Sequence, residues 1–135
     1  MSAEARRCCF ADALGARVAG CSKALKSTRQ YRRTTCCTNG EAHALCVAWL
    51  NRLREGSRFA LGARHTPSAL PRGEAIKLQC GGLLGMRDII EQQPSVRIRD
   101  VSILLKRAVA RFGSLGGVPM EPVIRRVQAF DADDR

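Results

Sequence analysis

Seven cysteines and two histidines are the first residues of this 135-residue chain with the means to do chemistry. Structural zinc takes four thiolate or imidazole ligands, usually delivered as short-spaced pairs such as C-x2-C. Here the close pairs are adjacent, Cys8 with Cys9 and Cys36 with Cys37, while 11 residues separate Cys9 from Cys21 and 14 separate Cys21 from Cys36. Adjacent cysteines bind one ion only with strain. His43 and Cys46 stand at i and i+3, a helical spacing compatible with chelation alongside Cys36 or Cys37. Cys46 also belongs to an apolar stripe, so burial is the simpler reading and no metal or other cofactor is expected.

Nucleophilic catalysis at Cys46 or Cys80 requires a base, and His43 and His65 are the candidates. Nothing in the spacing brings His65 to Cys80. The glycines of CGGLLG and GSLGG match neither G-x-G-x-x-G after a strand nor G-x-x-x-x-G-K-[ST]. Gly81 and Gly85 read instead as sites of close helix packing, and Gly113, Gly116 and Gly117 as a flexible turn. The carboxylates fall mostly at helix starts or in the tail, where they serve capping and solubility. No catalytic residue is assigned, and the expectation is a protein that is not an enzyme.

The arginines form the third candidate group. The chain carries 23 Lys plus Arg against 12 Asp plus Glu, a formal net charge of +11. Such a balance favours an anionic partner and says little about fold. It is unevenly spread: residues 1–37 hold eight basic and two acidic residues, +6, and the remaining 98 residues hold +5. Within the second part, Arg97, Arg99, Lys106, Arg107 and Arg111, with Arg125 and Arg126 further on, are the candidate contacts to nucleic-acid phosphates. Aromatic residues are 4% of the chain and do not interleave with the basic ones, which argues against base stacking. The competing reading is a solvated basic surface.

The elements that must position these groups follow from the apolar period. Thr38, Asn39, Gly40 and Glu41 have the form of a capping box that opens a helix. Ala42, Leu45, Cys46, Trp49, Leu50 and Leu53 then keep helical spacing, with Gly56 suited to the C-terminal cap. Ala44, Val47 and Ala48 soften the opposite face of that helix. Phe59, Leu61 and Ala63 alternate in residues 57–65, the period of a short strand. From Glu74 to Ile90, Ile76, Cys80, Leu83 and Leu84 are roughly helical, and either one helix with a glycine face or two helices broken at Gly81 and Gly82 satisfies the pattern. Val96 and Ile98 alternate with Arg97 and Arg99, permitting a second strand that pairs with the first.

Asp100 is placed to cap the clearest helix, in which Val101, Leu104, Leu105, Ala108, Val109 and Phe112 share an arc of about 140° at 100° per residue, with Gly113 as the stop. Ile103 falls opposite that arc, among Arg99, Lys106, Arg107 and Ala110. An apolar residue ringed by cations fits a partner contact, although isolated exposed isoleucines are common. A last helix covers about residues 120–130, with Pro122 in its first turn and Val123, Ile124, Val127 and Phe130 as its stripe. Helix 100–112, a glycine-rich turn and helix 120–130 have the order of a helix-turn-helix, but the seven-residue turn exceeds the usual length of about three or four. Phe10, Leu14, Val18, Cys21 and Leu25 have helical spacing near the N-terminus, and Ser27 to Thr38 reads as a basic linker.

The expected protein is a small, mainly α domain of about four helices over residues 38–130, with room for a short two-stranded ribbon. Residues 1–37 are expected as a basic, cysteine-rich extension, a poorly ordered one ahead of a docking arm, and residues 131–135 as an acidic tail. An odd cysteine count, two adjacent pairs and no hydrophobic signal segment point to reduced thiols in the cytoplasm. No apolar stretch approaches the roughly 20 residues of a membrane span. The leading functional expectation is a non-enzymatic regulatory or accessory protein contacting nucleic acid. The alternative is a protein-interaction module or homodimeric adaptor that uses Ile103 and Val47.

Overall fold

The apolar stripe that starts at Ala42 turns inward along its whole length. In the computed structural model, which describes residues 6–29, 32–58, 72–91 and 97–130, Ala42, Cys46, Trp49, Leu50 and Leu53 are buried on helix α2 (Gly40–Gly56). The cap of α2 is Asn39 and not Thr38: the Asn39 side chain accepts the Ala42 N–H at 2.9 Å. Thr38 is already committed, its hydroxyl donating to the Lys23 carbonyl at 2.9 Å. Gly56 stays inside the helix, which ends at Ser57 without a left-handed turn.

Helix α3 (Arg72–Glu91) runs through Gly81 and Gly82 unbroken. Each glycine costs a helix interior up to about 1 kcal/mol relative to Ala, and packing supplies the offset. A Cβ on Gly81 would lie 2.5 Å from the Val127 Cα, and one on Gly85 would lie 2.9 Å from the Val123 Cα. Both glycines therefore let α3 meet helix α5 (Met120–Ala129) backbone to backbone, while Gly82 admits the Leu53 side chain of α2. Helix α4 (Val101–Phe112) has both expected caps: the Asp100 carboxylate accepts the Ser102 N–H at 3.0 Å, and Gly113 turns left-handed at φ 82°. The segment after it is more than a flexible turn. A short 3-10 turn, Leu115–Gly117, drives Leu115 and Val118 into the core before α5 begins.

The N-terminal part departs furthest from the expected pattern. Helix α1 (Ala11–Gly15) is one turn long. It ends where the Arg17 N–H donates to the Leu14 carbonyl at 3.1 Å and the Val18 N–H to the Ala13 carbonyl at 3.2 Å. This is the Schellman arrangement, with Arg17 in the left-handed position at φ 64°. The chain then runs extended beside Ile98: the Gly20 N–H donates to the Ile98 carbonyl at 2.8 Å, and the Ile98 N–H donates to Val18 at 2.9 Å. Strand β1 (Ala24–Arg29) and strand β2 (Arg32–Cys37) form an antiparallel ribbon in which Ala24 pairs with Cys37.

The fold is thus mainly α, with five α-helices and one two-stranded ribbon among the described residues. The ribbon was expected from residues 57–65 and 96–99. Ile98 pairs instead with Ala19, and most of 57–65, like the tail 131–135, lies outside the described residues. Residues 6–29 and 32–37 do not form a separate extension. Phe10, Ala13, Val18 and Ala19 are buried in the same cluster as Trp49, Leu53, Leu83, Leu105 and Val123. Buried Gln79 of α3 fastens this part down, accepting the Ala13 N–H at 3.1 Å and donating to the Asp12 carboxylate at 3.2 Å. Among the described residues no helix is long and apolar enough to cross a membrane.

Candidate functional site

The cap at Asp100 fixes where the basic residues go. With Asp100 holding Ser102 and accepting the Ser22 N–H at 3.2 Å, the segment Arg97–Arg99 is pinned across the N-terminal end of α4. The helical phase of α4 then aims Ile103, Arg107, Ala110 and Arg111 to the same side. Together with the C-terminal end of α3 they enclose an open groove of about 1040 Å³, lined by Arg97, Arg99, Ile103, Arg107 and Arg111. Ile98 and Leu104 contribute apolar floor, and Ile90 and Glu91 close the α3 side.

Four guanidinium groups face two carboxylates across this groove. Glu91 engages Arg107 at 3.9 Å. The Asp100 carboxyl is occupied by its caps: burial works to raise its pKa, but hydrogen bonds from Ser22 and Ser102 outweigh burial and hold it below the usual carboxylate value. Arg111 is set by its surroundings, donating to the Ile89 carbonyl at 2.8 Å and lying 5.4 Å from the Phe112 ring centroid. Arg97 packs over Gly20, where an added Cβ would come within 3.1 Å of its guanidinium. Arg99 is exposed. Planar forks with several N–H donors suit phosphate or carboxylate oxygens, and the groove holds them on two converging segments.

Not every candidate residue gathers there. Lys106 is exposed on α4 but does not line the groove. Arg125 and Arg126 belong to the packing of α5: Arg125 pairs with Glu121 one turn back, and Arg126 pairs with Asp88 of α3 at 3.3 Å. Asp88 also holds buried Arg87 at 2.9 Å, so Arg126 shares a carboxylate that the fold already uses, while Arg125 sits in an exposed pair on its own helix. Ile103 is 52% exposed inside the groove, whereas Val47, 36% exposed, sits on α2 away from it. Ile90 and Glu91 were missed because their side of the groove is set by α3, a contact that no local pattern encodes.

A second concentration of chemistry lies beside Val101, the first residue of α4. Cys8, Cys9, Cys21, Cys37 and Cys46 converge with His43 on one cavity of about 10 Å³. The His43 Nε2–H donates to the Arg7 carbonyl at 3.2 Å, and the Arg6 Nε–H donates to the Cys37 carbonyl at 3.3 Å, which ties the segment before α1 to α2 and β2. Cys9 and Cys46 line this cavity together, and each shifts the other: hydrogen bonding to Cys46 lowers the Cys9 pKa, aided by the charge of Arg54, and raises that of Cys46. Burial pushes Cys8 up to about 11. Among the described residues no three His, Cys, Asp or Glu side chains are placed to hold a metal ion. Sequence spacing considered only His43 and Cys46 with Cys36 or Cys37; the gathering of four separate segments has no linear signal.

No protein-family model, no curated protein and no solved structure matches the chain.

Proposed function

We propose that this is a small, non-enzymatic accessory or regulatory protein that holds a nucleic-acid backbone in the groove beside α4. The observation that carries the reading is the convergence of Arg97, Arg99, Arg107 and Arg111 on one concave surface. Phosphates gain from guanidinium contacts mainly through release of condensed counterions, so binding of this kind weakens steeply with salt. A backbone-reading mode also agrees with the aromatic content of 4%, which gives base stacking little material. A cytoplasmic setting belongs to the same proposal and is supported by the odd number of cysteines and their adjacent pairs. The test is fluorescence anisotropy with labelled single- and double-stranded oligonucleotides across a salt series. Binding that strengthens at low salt and falls in Arg99→Ala and Arg107→Ala supports the proposal, and salt-independent binding or none overturns it.

A second reading rests on Ile103, whose 52% exposure within the groove offers an apolar contact that phosphates do not use. It makes the groove a docking site for an acidic protein segment with an apolar anchor. Ile103→Ser separates the two readings: it should leave oligonucleotide affinity nearly unchanged and should abolish capture of a protein partner.

A further inference from the structure

The thiol cavity plays no part in the reading above, and its composition narrows what it can do. Five cysteine side chains from four segments face a space of about 10 Å³, which is room for roughly one water-sized molecule. A bulky organic ligand does not fit, and the described side chains do not present a metal-binding trio. What remains is chemistry between the thiols themselves and a very small reagent.

Two of the five stand out by their placement. Cys9, half-buried in the segment before α1, and Cys46, 8% exposed on α2, face the same small cavity from different elements. We propose that Cys9 and Cys46 form a dithiol that a hydroperoxide oxidises reversibly to a disulfide, with Cys9 as the attacking thiol and Cys46 as the resolving one. Their surroundings assign the roles. Cys9 has the greater thiolate character because Cys46 and Arg54 favour its charged form, whereas Cys8 beside it is held as the thiol by burial. Cys46 is the more enclosed of the two and opens on the cavity that Cys9 also lines.

In the first step the Cys9 sulfur attacks one oxygen of hydrogen peroxide. An S–O bond forms, the O–O bond breaks, and the departing oxygen leaves as water with the proton released from Cys9. Cys9 is then a sulfenic acid. In the second step the Cys46 sulfur attacks the Cys9 sulfur, an S–S bond forms and the S–O bond breaks. The hydroxyl leaves as a second water with the proton from Cys46. Two thiols lose two electrons in total, and one peroxide becomes two waters. The product locks the segment before α1 to α2, two elements that the hydrogen bond from His43 to the Arg7 carbonyl otherwise joins.

The experiment treats the reduced full-length protein with a small excess of hydrogen peroxide, blocks remaining thiols, and maps peptides without reduction after cleavage at Arg, Lys and Glu. Such cleavage separates residues 8–17 from 42–52 and removes Cys36 and Cys37 from the second peptide. The expected product is the 8–17 to 42–52 cross-link, lighter than its parts by two hydrogen atoms and reopened by dithiothreitol. It persists in Cys8→Ser, where Cys9 is the only cysteine left in its peptide, and is lost in Cys9→Ser. Irreversible oxidation of Cys9 without the cross-link, a cross-link that survives Cys9→Ser, or a different first-formed pair overturns the proposal. Where a variant fails to fold, fragmentation of the unmutated cross-linked peptide between Cys8 and Cys9 shows which of the two carries the bond and which carries the blocking group.

Discussion

Replacing Gly81 with Ala gives a clean reading of how α3 is held. On helix propensity alone the change stabilises by up to about 1 kcal/mol. The added Cβ, however, would stand 2.5 Å from the Val127 Cα and 3.0 Å from the Arg126 carbonyl oxygen and the Val127 nitrogen. Ordinary contact between carbon atoms needs about 3.5–4 Å, so α3 and α5 must separate by roughly 1 Å at this point. Backbone atoms cannot swing aside as a side chain does. Overpacking of this kind costs about 1–3 kcal/mol, and because the obstruction is backbone the upper part of that range applies, leaving a net loss of about 2 kcal/mol. At about 3–4 °C per kcal/mol for a domain of this size, the melting temperature should fall by about 6–8 °C. Gly73, near the start of the same helix, has nothing among the described residues within 4 Å of its would-be Cβ, and Gly73→Ala should raise the melting temperature slightly. Thermal unfolding followed by circular dichroism compares the two. A Gly81→Ala protein as stable as Gly73→Ala would refute backbone contact as the reason α3 carries glycines.

Three further perturbations test local statements. Asp100→Ala removes the α4 cap and should cost about 1 kcal/mol at neutral pH; because the folded carboxyl has a pKa below its unfolded value, this stabilisation is complete above the unfolded pKa and is lost as pH falls through the folded one, so urea titrations of the two proteins should converge in strong acid. Arg17→Gly should stabilise by up to about 1 kcal/mol, since a non-glycine residue at φ 64° carries a left-handed penalty that glycine lacks; a lower urea midpoint would contradict the Schellman assignment. Asp88→Asn withdraws the charge that holds buried Arg87 and Arg126 and should cost about 1–3 kcal/mol, measured by the same titration, whereas Glu121→Gln at an exposed pair should change little.

The contrast between α4 and the N-terminal part shows which features a linear pattern can carry. Helix α4 was legible because its stripe, its Asp100 cap and its Gly113 stop are all local, and the phase that buries Leu104 and Leu105 is the phase that exposes Ile103 and Arg107. The same phase turns Arg107 and Arg111 toward the groove, whereas Arg97 and Arg99 reach it from the segment before α4. Arg125 and Arg126 lie outside the groove, and the partner of Arg126 had no local signal because its carboxylate comes from Asp88 on another helix. Near the N-terminus, Phe10, Leu14, Val18, Cys21 and Leu25 mimic a helical stripe by coincidence. Leu14 closes a one-turn helix, Val18 lies in an extended segment, and Leu25 is 52% exposed on β1. The ribbon itself has arginines in both strands and few large apolar residues, so backbone pairing and docking define it more than alternation does. The thiol cavity depends on that docking and was therefore hidden as well.

The central claim is that four arginines around one groove hold phosphates. If each displaces one counterion, the logarithm of duplex affinity should fall against the logarithm of salt with a slope of about −3.6, a loss of roughly 150-fold between 50 and 200 mM. Removing two of them in Arg99→Ala/Arg107→Ala should halve the slope to about −1.8 and shrink the loss to roughly 12-fold, while Arg125→Ala, outside the groove, should leave it unchanged. A slope that does not move in the double variant, or that moves equally in Arg125→Ala, would contradict the assignment of the groove as the nucleic-acid site.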